Sequence, residues 1–169
     1  GPSVNYDKKI KPLEIGSAEV LKEGDELAII AIGNMVSPSL NAADILSQKG
    51  IDVTVVNARF IKPLDKNLII KLARRTKKIV TVEENVLQGG FGSAVMEILE
   101  EEGITNIQFK RIGIPDKFIE HGSPEVLRKN YGLNAECIAE TIWKHFNLSS
   151  LQAMHTEVET KNSKILMVK

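Results

Sequence analysis

At 169 residues, 43% hydrophobic and 26% charged, the chain has the size and composition of one compact domain and is too short for a two-domain enzyme. Its 22 basic residues equal its 22 acidic ones, which excludes a general attraction to nucleic acid or to an acidic membrane. A single cysteine, Cys137, excludes an internal disulfide, and no apolar run reaches membrane-spanning length.

In chain order, "GPSVNYDKK" lacks an initiator Met and reads as a tag remnant or linker over residues 1–11, ahead of an excised domain over 12–148. "EIGSAEVLKEGDELAIIAIG" predicts a short strand, a turn at Glu23 to Asp25 and a buried strand over Leu27 to Ile32. Val36, Leu40, Ala43 and Leu46 fall at helical spacing, and Gly50 ends that run. "DVTVVNA" predicts a second buried strand, followed by a helix from about Asp65 to Arg75 with Leu68, Ile69, Leu72 and Ala73 on one face. "KKIVTVEE" predicts a third.

After a glycine cluster comes a helix with Val95, Ile98 and Leu99 on its apolar side and Glu97, Glu100, Glu101 and Glu102 toward water. "NIQFKRIG" is the fourth strand of the repeat. Ser123 and Pro124 suit the N-cap and first position of a short helix. A last helix begins near Asn134, with Ile138, Ala139, Ile142, Trp143 and Phe146 as a packing stripe, and Cys137 within it reads as a buried structural thiol. Alternation of this kind predicts an α/β fold: three αβα layers around a mainly parallel sheet. Residues 149–169 form an extension of uncertain role, and "KILMV" in it suits an edge strand, a docked segment or disorder equally.

The glycines of "VTVEENVLQGGFGSAV" stand between a strand and a helix, where nucleotide folds hold phosphate. A P-loop needs Lys and a hydroxyl residue straight after its last glycine, but Gly92 is followed by Ser93 and Ala94. A dinucleotide fingerprint needs a third small residue where Val95 stands. Glu83 and Glu84 at the strand end would repel a phosphate. Gly89, Gly90 and Gly92 are therefore read as a tight turn and a close approach of another segment.

In "NARFIKPLD", Arg59 lies past a strand end and could hold an anion or pair with a glutamate at the end of the third strand. Pro63 keeps Lys62 extended, and Asp65 suits a cap. The loop "GIPDKFIEHGSPE" carries Pro115, Asp116, Glu120, His121 and Gly122. No zinc spacing is present, and no nucleophile stands with His121, so the loop suits an interface better than catalysis.

The stretches "VTVEENVLQGGFGSAVMEIL", "VVNARFIKPLD" and "IGIPDKFIEHGSPEVLRKNYGLNAECI" together resemble the C-terminal domain of 1-deoxy-D-xylulose-5-phosphate synthases, in the transketolase-like thiamine-diphosphate family. The glycine segment alone also resembles the β subunits of 2-oxo-acid dehydrogenases; the other two narrow the likeness. The resemblance runs from about Pro12 to Phe146. It implies a homodimeric three-domain parent in the cytoplasm or a plastid, which joins pyruvate to D-glyceraldehyde 3-phosphate with loss of carbon dioxide. It implies that thiamine diphosphate and magnesium sit on the missing N-terminal and middle domains, with no cofactor, metal or catalytic residue in this piece. Arg59, Lys62, Pro63, Asp65, Glu83, Glu84, Gly89, Gly90, Gly92, Ser93, Pro115, Asp116, His121 and Gly122 match the family's motifs and are expected to support the fold or a domain interface. An autonomous nucleotide-binding module is the competing expectation.

Overall fold

The computed structural model describes residues 12–148; the readings made for residues 1–11 and 149–169 lie outside the described residues. The strands are β1 (Glu19–Lys22), β2 (Leu27–Ala31), β3 (Val53–Asn57), β4 (Lys78–Val86) and β5 (Gln108–Ile114). The helices are α1 (Val36–Gln48), α2 (Lys66–Thr76), α3 (Phe91–Glu101), α4 (Pro124–Asn130) and α5 (Ala135–His145), with a 3-10 turn over Gly33–Met35 before α1.

The five strands form one sheet in the order β1-β3-β2-β4-β5, parallel throughout except for β1, which runs antiparallel to β3. β2 lies at the centre and every residue of it is buried, which explains its unbroken apolar run "LAIIA". Alternation then divides it between two cores. Leu27, Ile29 and Ala31 face Met35, Ala42 and Leu46 around α1, and Ile138 and Ile142 of α5. Ala28 and Ile30 face Ile69 and Leu72 of α2, and Phe91, Val95 and Leu99 of α3. Each fully buried Leu or Ile contributes roughly 2 kcal/mol, so the sheet is held from both sides.

Local chemistry sets the helix starts. The Asp65 carboxylate accepts the Leu68 N–H at 3.0 Å, Ser123 Oγ accepts from Val126 N, and Asn134 Oδ1 accepts from Cys137 N. Two boundaries differ from expectation. β4 runs on to Val86 through an irregularity after Val82, where Val86 pairs with Ile114. α3 begins at Phe91, so Gly92 and Ser93 belong to its first turn and not to a loop. Cys137, expected to be buried, is half-buried. Because β2 to β5 are parallel, the segments that leave β3, β4 and β5 emerge along one carboxyl edge of the sheet.

Candidate functional site

At that edge, successive residues of β4 project to opposite faces of the sheet. Glu83 turns toward α3 and is 1% exposed. Its two carboxylate oxygens accept the backbone N–H groups of Phe91 at 2.7 Å and Gly92 at 2.8 Å. Those amides belong to the first turn of α3, where no intrahelical acceptor exists and the helix dipole is positive. The buried charge is thus compensated by the helix end, and the helix end is capped from a neighbouring strand. This carboxylate occupies the position that a bound phosphate would take.

The glycines make room for it. Gly90 caps the helix without a side chain, and a Cβ there would overlap the Glu83 carboxylate and the Val86 carbonyl. A Cβ on Gly92 would stand 2.5 Å from Thr81 Oγ1 and 2.9 Å from the Arg111 stem. Gly89 has a φ of +68°, a left-handed turn that glycine adopts freely. The hydroxyl of Ser93 donates to the Leu87 carbonyl at 3.0 Å, and Arg111 Nη1 donates to both of those oxygens at 2.8 Å. Of the three glycines, Gly90 and Gly92 make a close approach, to β4 and β5 of the same chain, whereas Gly89 serves the turn alone.

Glu84, on the other face, forms a two-pronged pair with Arg128 of α4 (2.6 Å to Nε, 3.0 Å to Nη2) and accepts from Asn34 Nδ2 at 3.0 Å. The Arg128 hydrogen bonds hold the Glu84 carboxyl below its ordinary value of 4.5, with burial opposing and Asn34 assisting. A carboxylate whose pKa is lowered by folding adds stability above the unfolded pKa and loses it as pH falls through the folded one. Both side chains are about one-third exposed, so solvent screening limits the pair to about 1 kcal/mol. We expect Glu84→Gln to cost that much at pH 7 in urea unfolding, with the difference closing as pH falls below 4.5. A gap that widens in acid would refute the assignment.

Arg59 takes a left-handed φ of +57°. Its guanidinium pairs with Glu19 Oε2 at 2.5 Å, not with a glutamate of β4. The reason is topological: β1 lies beside β3 with Glu19 opposite Asn57, while Glu83 and Glu84 already have partners. Asp65 serves twice, capping α2 and accepting the Ala18 N–H at 3.0 Å. Lys62 and Pro63 are exposed and joined by a cis peptide bond. In the loop after β5, Pro115 is half-buried, whereas Asp116, Glu120 and His121 are exposed and make no side-chain hydrogen bond within the described residues. A Cβ on Gly122 would lie 3.1 Å from Leu127 Cδ2.

The structure therefore gathers Glu83, Gly90, Gly92 and Ser93 into one cluster and sets Arg59 and Asp65 in another. Asp116, Glu120 and His121, on the loop after β5, are exposed and join neither cluster. Sequence reasoning missed Glu19, Asn34, Arg111 and Arg128. Arg111 had a signal: it shares a strand face with Phe109, and a charged residue on a helix-covered face needs a polar partner. Between the ends of β2 and β4 lies a crevice of about 310 Å³ lined by Ile32, Asn34, Ile61, Glu84, Asn85 and Phe91, among others. Among the described residues, no group of three or more His, Cys, Asp or Glu side chains could hold a metal ion, and no helix is long and apolar enough to cross a membrane.

Residues 16–138 match the family described as "Transketolase, C-terminal domain". The chain is 51% identical over 141 residues to a 1-deoxy-D-xylulose-5-phosphate synthase of Desulforudis audaxviator, covering 83% of this chain and 22% of that protein. It is 53% identical over 139 residues to the synthase of Heliobacterium modesticaldum, covering 82% and 21%. Among solved structures it resembles a "Split gene transketolase, inactive beta4 tetramer", with a TM-score of 0.74, 39% identity, and coverage of 80% of this chain and 44% of that one. The chain spans about a fifth of the length of these curated relatives. The family match over most of the described residues and the αβα fold agree, and the chain belongs to the transketolase C-terminal domain family.

Proposed function

We propose that this chain is the C-terminal assembly domain of a 1-deoxy-D-xylulose-5-phosphate synthase. Identity above 50% across the whole domain to two such synthases carries the reading. The parent would join the two-carbon unit of pyruvate to D-glyceraldehyde 3-phosphate with release of carbon dioxide, as a homodimer in the cytoplasm or, in a plant or alga, the plastid. Thiamine diphosphate held through magnesium would supply the chemistry of decarboxylation.

Among the described residues, the glycine-lined start of α3 is filled by Glu83, and no group of three or more His, Cys, Asp or Glu side chains could hold magnesium, so these residues do not fit that cofactor. We therefore assign the cofactor to preceding domains and no catalytic step to this chain. Glu83 also weighs against the nucleotide-binding alternative, since a phosphate would have to displace a buried carboxylate. The solved relative described as an inactive β4 tetramer of a split-gene transketolase is compatible with a domain that assembles and is silent without its partners.

Domain limits follow the same proposal: residues 12–148 as the folded unit, 1–11 as linker or tag remnant, 149–169 as an extension. Assay of the full-length protein from the same gene and of the 169-residue chain, both with pyruvate, D-glyceraldehyde 3-phosphate, thiamine diphosphate and magnesium, tests the reading. Product is expected from the full-length protein alone. Product from the 169-residue chain would sink the assignment of catalysis elsewhere. Acyl transfer to a lipoyl carrier by the full-length protein would move it to the dehydrogenase branch.

A further inference from the structure

We propose that the apolar run at residues 164–168, "KILMV", folds back onto a hollow beside the outer strand β5 of its own domain. The hollow, about 200 Å³, lies between α3 and β5 and is lined by Met96, Leu99, Glu100, Ile104, Ile107 and Phe109, among others. Small-molecule sites begin at roughly 300 Å³ and hold several convergent polar groups. This hollow is smaller and almost wholly apolar, which suits aliphatic side chains of a protein segment. Met96, on its wall, is 44% exposed. β5 is also the last strand of the sheet, and its far side pairs with no strand among the described residues. An open edge next to an apolar hollow is where an added segment gains most.

Charge selects the occupant. Glu100 lines the hollow, and Glu97 stands one turn before it on α3; both are exposed and form no ion pair among the described residues. Glu101 and Glu102 already hold Lys66, so the uncompensated charge at this rim is negative. Residues 161–169, "KNSKILMVK", place four consecutive apolar residues between Lys164 and Lys169, with Lys161 ahead of them and no acidic residue. An apolar run with cationic ends thus meets an apolar floor with an anionic rim. Residues 1–11 offer no such run, and they precede β1, at the opposite side of the sheet.

The tether is long enough. Leu148 is buried with Ile112 of β5 and with Ile138 and Ile142 of α5, on the sheet face opposite the hollow. Residues 149–164 span up to about 50 Å when extended, more than the roughly 40 Å diameter of a domain of this size. Because β5 is the outer strand, the path from one face to the other rounds a single edge. A tether of this kind keeps the run near the hollow at an effective concentration of about a millimolar, so a modest affinity suffices. A second copy of the chain has no such advantage.

Methyl NMR of the 169-residue chain tests this, since its methionines, Met35, Met96, Met154 and Met167, supply separate probes. Cross-relaxation is expected between the Met96 methyl and protons of residues 165–168, at all protein concentrations. A chain ending at Thr160 should shift the Met96 signal while leaving that of the buried Met35 in place. Amides of residues 104–110 should exchange about threefold or more faster in that shortened chain. Leu166→Asp in the whole chain should reproduce both changes. A Met96 signal indifferent to the truncation and to Leu166→Asp would overturn the inference. So would a contact that is lost on dilution, because a second copy would then supply the run.

Discussion

Replacing Glu83 by alanine is expected to destabilise the domain by about 3–5 kcal/mol, the range for breaking a buried, compensated charge. The carboxylate is 1% exposed and accepts two N–H groups from the first turn of α3. Removing it leaves both amides buried without an acceptor, and it withdraws the negative charge from the positive end of a helix. Glu83→Gln keeps the shape but replaces one acceptor oxygen with a donor that meets an N–H, for a cost of about 2 kcal/mol. Urea unfolding should show a lower midpoint with an unchanged slope, and the alanine variant should melt about 10 °C or more below the parent sequence. Formate offers an independent readout. If an anion position has been vacated, added formate should raise the melting temperature of Glu83→Ala more than that of the unaltered chain. Stability within about 1 kcal/mol of the unaltered chain, together with no formate effect, would remove Glu83 from the role given to it here.

How far this arrangement could be read from the sequence depends on the distance over which its parts act. Helix starts at Asp65, Ser123 and Asn134 were legible because a cap bonds an amide three residues on. The central strand was legible because burial on both faces removes polar residues from it. Arg59 shows where this stops. Its position past a strand end was readable, but its partner Glu19 is 40 residues away and becomes a neighbour only because β1 pairs antiparallel with β3. Arg128 reaches Glu84 across 44 residues in the same way. The two glutamates near the end of β4 are visible in the sequence as neighbouring charges. That one of them caps α3 could not be known before Phe91 was seen to begin the helix. Local rules place elements, whereas strand order decides which charges meet.

The neighbouring glycines should respond in the opposite order from their backbone angles. Gly89 has φ +68°, where an L side chain is strained, but nothing lies within 4 Å of a Cβ built there. Gly89→Ala should therefore cost only the left-handed penalty, about 1 kcal/mol. Gly90 has φ −81° and ψ −168°, an extended conformation open to any residue. Its Cβ, however, would fall on the Glu83 carboxylate and on the Val86 carbonyl oxygen. One of these is a buried charge held by two amides, and the other is backbone in a strand. Neither moves without breaking what it holds, so Gly90→Ala should cost about 3 kcal/mol, near the upper end for overpacking. A double-mutant cycle separates the two obstacles. With Glu83→Ala already present, the carboxylate clash is gone and its amide bonds cannot be lost twice, so the added cost of Gly90→Ala should fall by at least about 1 kcal/mol. The remainder measures the Val86 carbonyl. Additive costs in that cycle, or a Gly89 variant less stable than the Gly90 variant, would show that backbone strain and not the fit around Glu83 explains the glycines.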